Sequence, residues 1–486
     1  MRLGSLLGLG LTALTAWAAD VPATIPAIPT RETAHLVITA DGRHFARSDG
    51  RPFFWIGDTA WELLHHATRA EIGAYLDDRA TKRFSVVQVC LLPEMDGLNR
   101  PNREGQLPFL NGDPAQPNIA WFDLADWFVK MAGDMGLQIA LLPTWGSYVV
   151  RDEKPLFSAQ PIFTPAKAEV YGRWLAERFR RRPNVVWMLG GDRNPEGHEP
   201  VWRALAAGLR AGSGERPPLI TYHPRGPGSS GRTLHAEPWL AFNSVQSGHQ
   251  LDGGAHELVL AETARTPVKP VINAEPAYEG IPIAFDLKNG RFTADHVRRN
   301  WYWSVFSGAA GVTYGANEVW MAWAPDLEPL SAQVKPPFLG AQQHWTNALA
   351  YPGSSQLRFL RALTESRPWN LTVPDPSLVY SPKTGGTNFI AALRATDGST
   401  ALLYLPQGGE VAVDLSHLTG QTLSGTWWSP SSGGTSQAGR FERQGNRVFK
   451  APSGGFGQDW VLVIDDLAKG FGPAGQRPPR ARPVTK

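Results

Sequence analysis

The chain has 486 residues, 42% hydrophobic and 19% charged, a globular balance with room for two domains. Its 47 basic and 44 acidic residues are spread along the chain with a net charge of +3, the basic excess sitting mostly in the tail from Gly470, which leaves no electrostatic footprint for nucleic acid. A single cysteine excludes an internal disulfide.

Residues 1–18 read as a signal peptide. Arg2 supplies the positive start, Leu3 to Ala16 the apolar stretch, and Ala16-Trp17-Ala18 the small-residue cleavage site. The expected product is exported, to the periplasm or the medium. A hairpin pattern follows around His35–Thr39, with Asp41-Gly42 and Asp49-Gly50 turns.

Apolar β-type runs then alternate with helical patterns. The runs are Phe53–Ile56, Phe84–Leu92, Leu137–Pro143, Asn184–Leu189, Leu219–Tyr222, Phe242–Val245, Pro270–Ala274 and Ala309–Tyr314. Helix candidates between them are Thr68–Arg83, Trp121–Met135, Pro165–Arg182, Pro200–Ala211, Ala255–Thr266 and Thr293–Ser307. Thr68 and Glu71 have capping-box spacing, Thr164-Pro165 is a cap followed by proline in the first turn, and Gly136 closes a helix. Eight runs with intervening helices predict a (β/α)8 TIM barrel over residues 19–366. A helical stretch around Gln342–Ser366 closes it. Over residues 367–469, short strands separated by Gly, Ser, Asp and Pro predict a small C-terminal β-sandwich. Residues 470–486 read as a disordered, basic, Pro-rich tail.

Two of the runs end in an acid: Trp187-Met188-Leu189-Gly190-Gly191-Asp192 and Val271-Ile272-Asn273-Ala274-Glu275-Pro276. Strand carboxyl ends of a barrel share one mouth. Two carboxylates there are the minimum for cleaving a glycosidic bond. The other polar and aromatic residues expected at that mouth are Asp58, Trp61, Glu94, Asn99, Trp145, Arg193, Tyr222, His223, Gln246, His249, Tyr278, Tyr314 and Trp320. Sugar hydroxyls need planar hydrogen-bond partners, and sugar C–H faces pack on aromatic rings. Donors such as His223, Tyr314 or Asn273 are expected to hold Glu275 ionised. Glu279 reads as an ion-pair or substrate residue, His65-His66 as a helix-surface pair, and Gly228–Gly231 as a flexible loop near the mouth. Cys90 reads as an inert core thiol. No H-E-x-x-H or cysteine pair is present, so neither a metal nor a cofactor is expected.

The stretches Phe53–Leu63, Asp96–Asn102, Leu142–Gly146, Trp187–Pro195, Thr221–Pro224, Gln246–His249, Glu275–Glu279 and Tyr302–Phe306 resemble the apiosidase-like barrels of glycoside hydrolase family 140. The resemblance runs from about Leu36 to Asp465 and includes a companion domain named for collagen binding. It implies catalytic carboxylates at the Gly-Gly-Asp and Glu-Pro positions, Asp192 and Glu275. It further implies release of the branched furanose apiose from a pectic oligo- or polysaccharide. In related retaining barrels the acid/base follows the fourth strand and the nucleophile the seventh, the places that Asp192 and Glu275 hold. The wider clan has Asn-Glu after strand four, where this chain has Gly191-Asp192, an acid one methylene shorter. The alternatives are another exo-glycosidase on the same site, of arabinofuranosidase or galactosidase type, and a non-catalytic matrix- or carbohydrate-binding protein.

Overall fold

The computed structural model describes residues 34–151, 160–327 and 337–476. The signal-peptide reading and the tail beyond residue 476 lie outside the described residues. Eight parallel strands form the barrel wall. They are β1 (Trp55–Thr59), β2 (Val86–Cys90), β3 (Gln138–Leu142), β4 (Val185–Gly190), β5 (Ile220–His223), β6 (Asn243–Gln246), β7 (Val271–Glu275) and β8 (Gly311–Tyr314). The ladder runs unbroken from β5 back through β1 to β8, β7 and β6. Between β5 and β6 the ring is closed by the Ala241 amide on the Ile220 carbonyl at 2.8 Å and the Thr221 hydroxyl on the Phe242 carbonyl at 2.7 Å.

The helices stand where the sequence punctuation places them. Helix α1 (Arg69–Thr81) starts on the Thr68–Glu71 capping box. Helix α2 (Ile119–Asp134) starts on the Asn118 side chain, and α3 (Pro165–Phe179) on Thr164 with proline in its first turn. Helix α4 (Glu199–Gly212) and a single-turn α5 (Gly231–Leu234) follow. Then come α6 (Ala255–Thr263), α7 (Ala294–Phe306) and α8 (Pro352–Glu365). The predicted stretch around Gln342–Ser366 is two helices, Trp345–Ala348 and α8, because Pro352 cannot continue the first and opens the second. The flexible loop expected at Gly228–Gly231 is instead ordered: Gly228–Ser229 pairs antiparallel with β6, and the Ser230 hydroxyl accepts the Ser244 amide at 2.9 Å.

Inside the barrel, Gln88 bridges the strands. It donates to the Ala274 carbonyl at 3.0 Å and accepts from the Thr313 hydroxyl at 3.1 Å, which in turn accepts from Trp55 at 3.3 Å. On the strands, loops and helices of the barrel, Trp55, Trp121, Trp145, Trp202 and Trp301 are fully buried. Burying one large apolar side chain stabilises by roughly 1.5–3 kcal/mol. Cys90 is buried and its thiol pKa is pushed up by burial, as an inert core residue requires.

The C-terminal part packs a six-stranded antiparallel sheet with a three-stranded one. Its strand Thr435–Glu442 is absent from the sequence reading, because few of its side chains are buried and no apolar alternation marks it. Strand Thr422–Trp428 turns Trp427 into the sandwich core and Trp428 into the barrel's core, the period-two consequence of adjacent positions. The seam to the barrel runs along α7, whose residues from Val297 to Phe306 are all buried. Arg298 grips Asp459 through Nε at 2.9 Å and Nη2 at 2.6 Å, and Tyr404 donates to the same carboxylate at 3.1 Å. Arg367 pairs with Asp465 at 2.9 and 2.6 Å, with Thr400 adding a third bond at 2.7 Å.

Candidate active site

The short acid reaches the mouth because of the backbone that carries it. Gly190, Gly191 and Asp192 adopt φ values of 85°, 109° and 51°, three consecutive left-handed residues. A Cβ on Gly190 would lie 2.3 Å from the His223 carbonyl oxygen, and one on Gly191 would meet the Trp145 ring at 2.8 Å. Only glycine fits both places. The turn is fixed by the Gly191 amide on the His223 carbonyl at 3.0 Å and the Gly146 amide on the Gly191 carbonyl at 3.1 Å. Arg193 donates to the Asp192 carbonyl at 2.9 Å, and Tyr222 donates to the Arg193 carbonyl at 2.7 Å.

Glu275 ends β7, and strand register sets Gln246 beside it at the end of β6. Gln246 donates to Glu275 Oε1 at 2.7 Å, and His249 Nε2 stands 3.3 Å from the same oxygen. His223, wholly buried, lies between the two acids: Nε2 is 3.3 Å from Glu275 and Nδ1 is 3.5 Å from Asp192. One oxygen of each carboxylate and a ring nitrogen of His223 all lie within 4.8 Å of one another. The ring of Trp61 stands edge-on to Trp145 at 5.4 Å and to His223 at 5.3 Å.

The two acids have opposite electrostatics. Burial, then the Glu275 charge, raises the Asp192 pKa to about 6. Burial also works against the Glu275 charge, but His223 and His249 outweigh it and hold that carboxyl well below the usual range. The His223 charge is likewise opposed by burial and restored by Glu275 and Asp192, so its pKa is raised. Glu94, 3.8 Å from Arg193, is pushed up to about 8 by burial and by the Asp192 charge. An acid that holds its proton beside one that keeps its charge is the division of labour that acetal cleavage needs.

Not every expected residue faces this cleft. Asp58 and Tyr314 point outward from the barrel, into the helix layer. Asp58 accepts from Tyr75 at 2.6 Å and from Arg79 at 2.7 Å, all three buried. Tyr314 donates to Glu279 at 2.8 Å. The error is one residue of strand alternation: inward positions belong to Thr59 neighbouring Asp58 and Thr313 neighbouring Tyr314. Glu279 is also held by the Gly353 amide at 3.0 Å, so it is neither ion-paired nor in the cleft. Tyr222 is buried and props the Asp192 turn from behind. Asn273 does not touch Glu275; it donates to Ser247 and Ser304 at 3.0 and 2.9 Å. Asn99 is exposed on the loop after β2, bonded to Asp96 at 2.7 Å. Tyr278 stands edge-on to His249 at 4.7 Å, and Trp320 is buried against Phe338 at 6.3 Å.

His65 and His66 are buried, not on a helix surface, and Glu62 between them is wholly buried. His65 Nε2 faces the Arg100 carbonyl at 3.1 Å and His66 Nδ1 faces the Met321 carbonyl at 2.8 Å, so each must donate there. The other ring nitrogens turn towards Glu62 Oε2, at 2.9 Å from His65 and 3.9 Å from His66. Burial raises the Glu62 pKa to about 7, and a protonated Glu62 satisfies the His65 lone pair. These three, and separately Asp192, His223 and Glu275, are the groupings among the described residues that could hold a metal ion. The rings of His65 and His66 stack, 4.4 Å apart and inclined by 28°. Sequence spacing gave no sign of Glu62, because its role depends on the loop after β2, whose Met95 amide donates to it at 2.9 Å.

Residues 39–370 match the family described as "Apiosidase-like, catalytic domain". Residues 373–465 match the family described as "Putative collagen-binding domain of a collagenase". A solved glycoside hydrolase family 5 protein from Bacteroides vulgatus ATCC 8482 is 30% identical, with a TM-score of 0.81 over 91% of this chain and 96% of that one. A second solved glycoside hydrolase is 29% identical, with a TM-score of 0.81 over 90% of this chain and 98% of that one. No curated protein matches.

Proposed function

This chain belongs to the apiosidase-like family of glycoside hydrolases, and we propose that it releases apiose from a pectic side chain by a retaining, two-carboxylate mechanism. Its place in glycoside hydrolase family 140 is part of the same proposal. The observation that carries the mechanism is the separation of the acids: an oxygen of Asp192 and one of Glu275 lie within 4.8 Å. Retaining enzymes hold their carboxyl groups about 5 Å apart, and inverting ones leave room for a water at roughly 6.5–9.5 Å.

In the first step Asp192 donates its proton to the glycosidic oxygen. Glu275 attacks the anomeric carbon, and the C–O bond to the leaving sugar breaks. In the second, the ionised Asp192 takes a proton from water, the water oxygen attacks the same carbon, and the bond to Glu275 breaks. His223 spans both oxygens. Its positive charge favours the ionised Glu275 and balances Asp192 once that group has given up its proton. The substrate assignment rests on the family match, and a furanose ring, smaller than a pyranose, suits the short reach of an aspartic acid.

The test is incubation with a defined pectic oligosaccharide that ends in apiose. The expected result is free apiose whose first-formed anomer, read by NMR, keeps the configuration of the bond cleaved. Glu275→Gln lowers kcat by more than about a thousandfold. Undiminished hydrolysis by that variant overturns the pair. Inversion overturns the nucleophile role alone. Release of arabinose or galactose in place of apiose overturns the substrate. Export rests on residues 1–18; an N-terminus at Ala19 in protein recovered outside the cytoplasm supports it, and an intact Met1 overturns it.

A further inference from the structure

The loop after β7 carries a feature that the two-acid chemistry does not use. Phe285 and Leu287 are each 56% exposed, in a protein that buries most of its aromatic side chains. The backbone that presents Phe285 is strained: Ala284 and Phe285 adopt φ values of 56° and 61°, consecutive left-handed positions without a glycine. An L residue enters that region only when its surroundings hold it there, and such positions collect at ligand clamps and active sites. Here the hold is visible. The Ala284 amide donates to the His249 carbonyl at 2.8 Å, the Ile283 amide to Gly290 at 3.0 Å, and the Phe285 amide to Pro282 at 3.0 Å.

The result is a ring placed with respect to the catalytic pair. Phe285 stands edge-on to the His249 imidazole, with centroids 5.1 Å apart and planes at 73°. His249 in turn lies 3.3 Å from Glu275 Oε1. One imidazole therefore separates an exposed aromatic ring from the nucleophile. The sugar to be released must reach the buried Glu275. The residue it is attached to lies further out, where Phe285 is.

We infer that Phe285 is an aromatic platform for the sugar on the leaving-group side of the scissile bond, packing on that sugar's C–H face. The inference rests on the glycosidase reading above and adds the subsite that reads the aglycone. Strain at Ala284 and Phe285 is then the means by which the loop shows one fixed ring to a substrate.

The experiment compares wild type, Phe285→Ala and Phe285→Trp on two substrates. One is a pectic oligosaccharide in which apiose is joined to a following sugar. The other is methyl apioside, whose aglycone is too small to reach the platform. For Phe285→Ala the ratio of kcat/KM on the oligosaccharide to that on methyl apioside falls about tenfold, through KM, while Phe285→Trp keeps the ratio within about twofold. An unchanged ratio in Phe285→Ala overturns the platform, whether both substrates are unaffected or both decline together. A wild-type enzyme that cleaves neither apioside overturns the apiose reading and the subsite with it. A wild-type enzyme that cleaves both, with an indifferent Phe285→Ala, overturns the platform alone.

Discussion

The mouth of the barrel and the seam between barrel and β-sandwich are built by opposite rules. At the seam, two buried carboxylates are each gripped by an arginine and a hydroxyl: Asp459 receives Arg298 and Tyr404, and Asp465 receives Arg367 and Thr400. At the mouth, the contacts are longer: Asp192 Oδ1 meets His223 Nδ1 at 3.5 Å, and Glu275 Oε2 meets His223 Nε2 at 3.3 Å. Left-handed residues gather there as well, at Gly190, Gly191, Asp192, Ala284 and Phe285. The seam closes on short arginine contacts, whereas the cleft holds its two carboxylates on longer imidazole ones.

The contrast can be broken most severely at Asp192 and Glu275, the proposed catalytic pair. Glu275→Gln, with its more than about thousandfold loss of kcat, is also expected to lower the melting temperature, since it removes the carboxylate that His223 and His249 face at 3.3 Å and hold ionised. An unchanged melting temperature would mean that the two imidazoles do not stabilise the Glu275 charge. Arg298→Ala is the opposite case. It strands Asp459 and is expected to cost about 3–5 kcal/mol in denaturant unfolding, with kcat/KM little changed in the folded fraction.

The pH profile sharpens the comparison. In the proposed first step Asp192 must be protonated, and burial and the Glu275 charge raise its pKa to about 6. The rate is therefore expected to fall as pH rises through about 6, while the depressed Glu275 keeps the acid limb below the ordinary carboxylate range. An alkaline limb that is absent up to pH ~8 would remove Asp192 from the acid role. The smallest effect is on stability. Burial raises Glu62 to about 7 and Glu94 to about 8, both from 4.5. The native state then binds more protons than the unfolded one between these values, so stability falls as pH rises through that window. Glu94→Gln is expected to flatten the decline, as read from melting temperatures across the window.

The barrel was legible because its signals are local: apolar runs, helix caps and proline breaks all lie within a few residues of one another. Asp192 and Glu275 were legible for the same reason, as acids ending apolar runs. Asp58 and Tyr314 were misplaced because one step along a strand reverses the face, and the sequence does not mark where the strand begins. Glu62 and Phe285 escaped notice because their meaning lies in partners from distant loops. Gln246 was singled out, yet its partnership with Glu275 depends on strand register that periodicity does not fix.

The grip of the β-sandwich on α7 limits how this enzyme can be trimmed. Residues 39–370, the stretch that matches the catalytic family, end just before the strands that cover Arg298, Tyr302 and Trp303. A protein cut at that point exposes the outer flank of a helix whose inner flank lines the wall behind β7 and β8. Any chimera that exchanges the barrel must therefore bring its own cover for that helix.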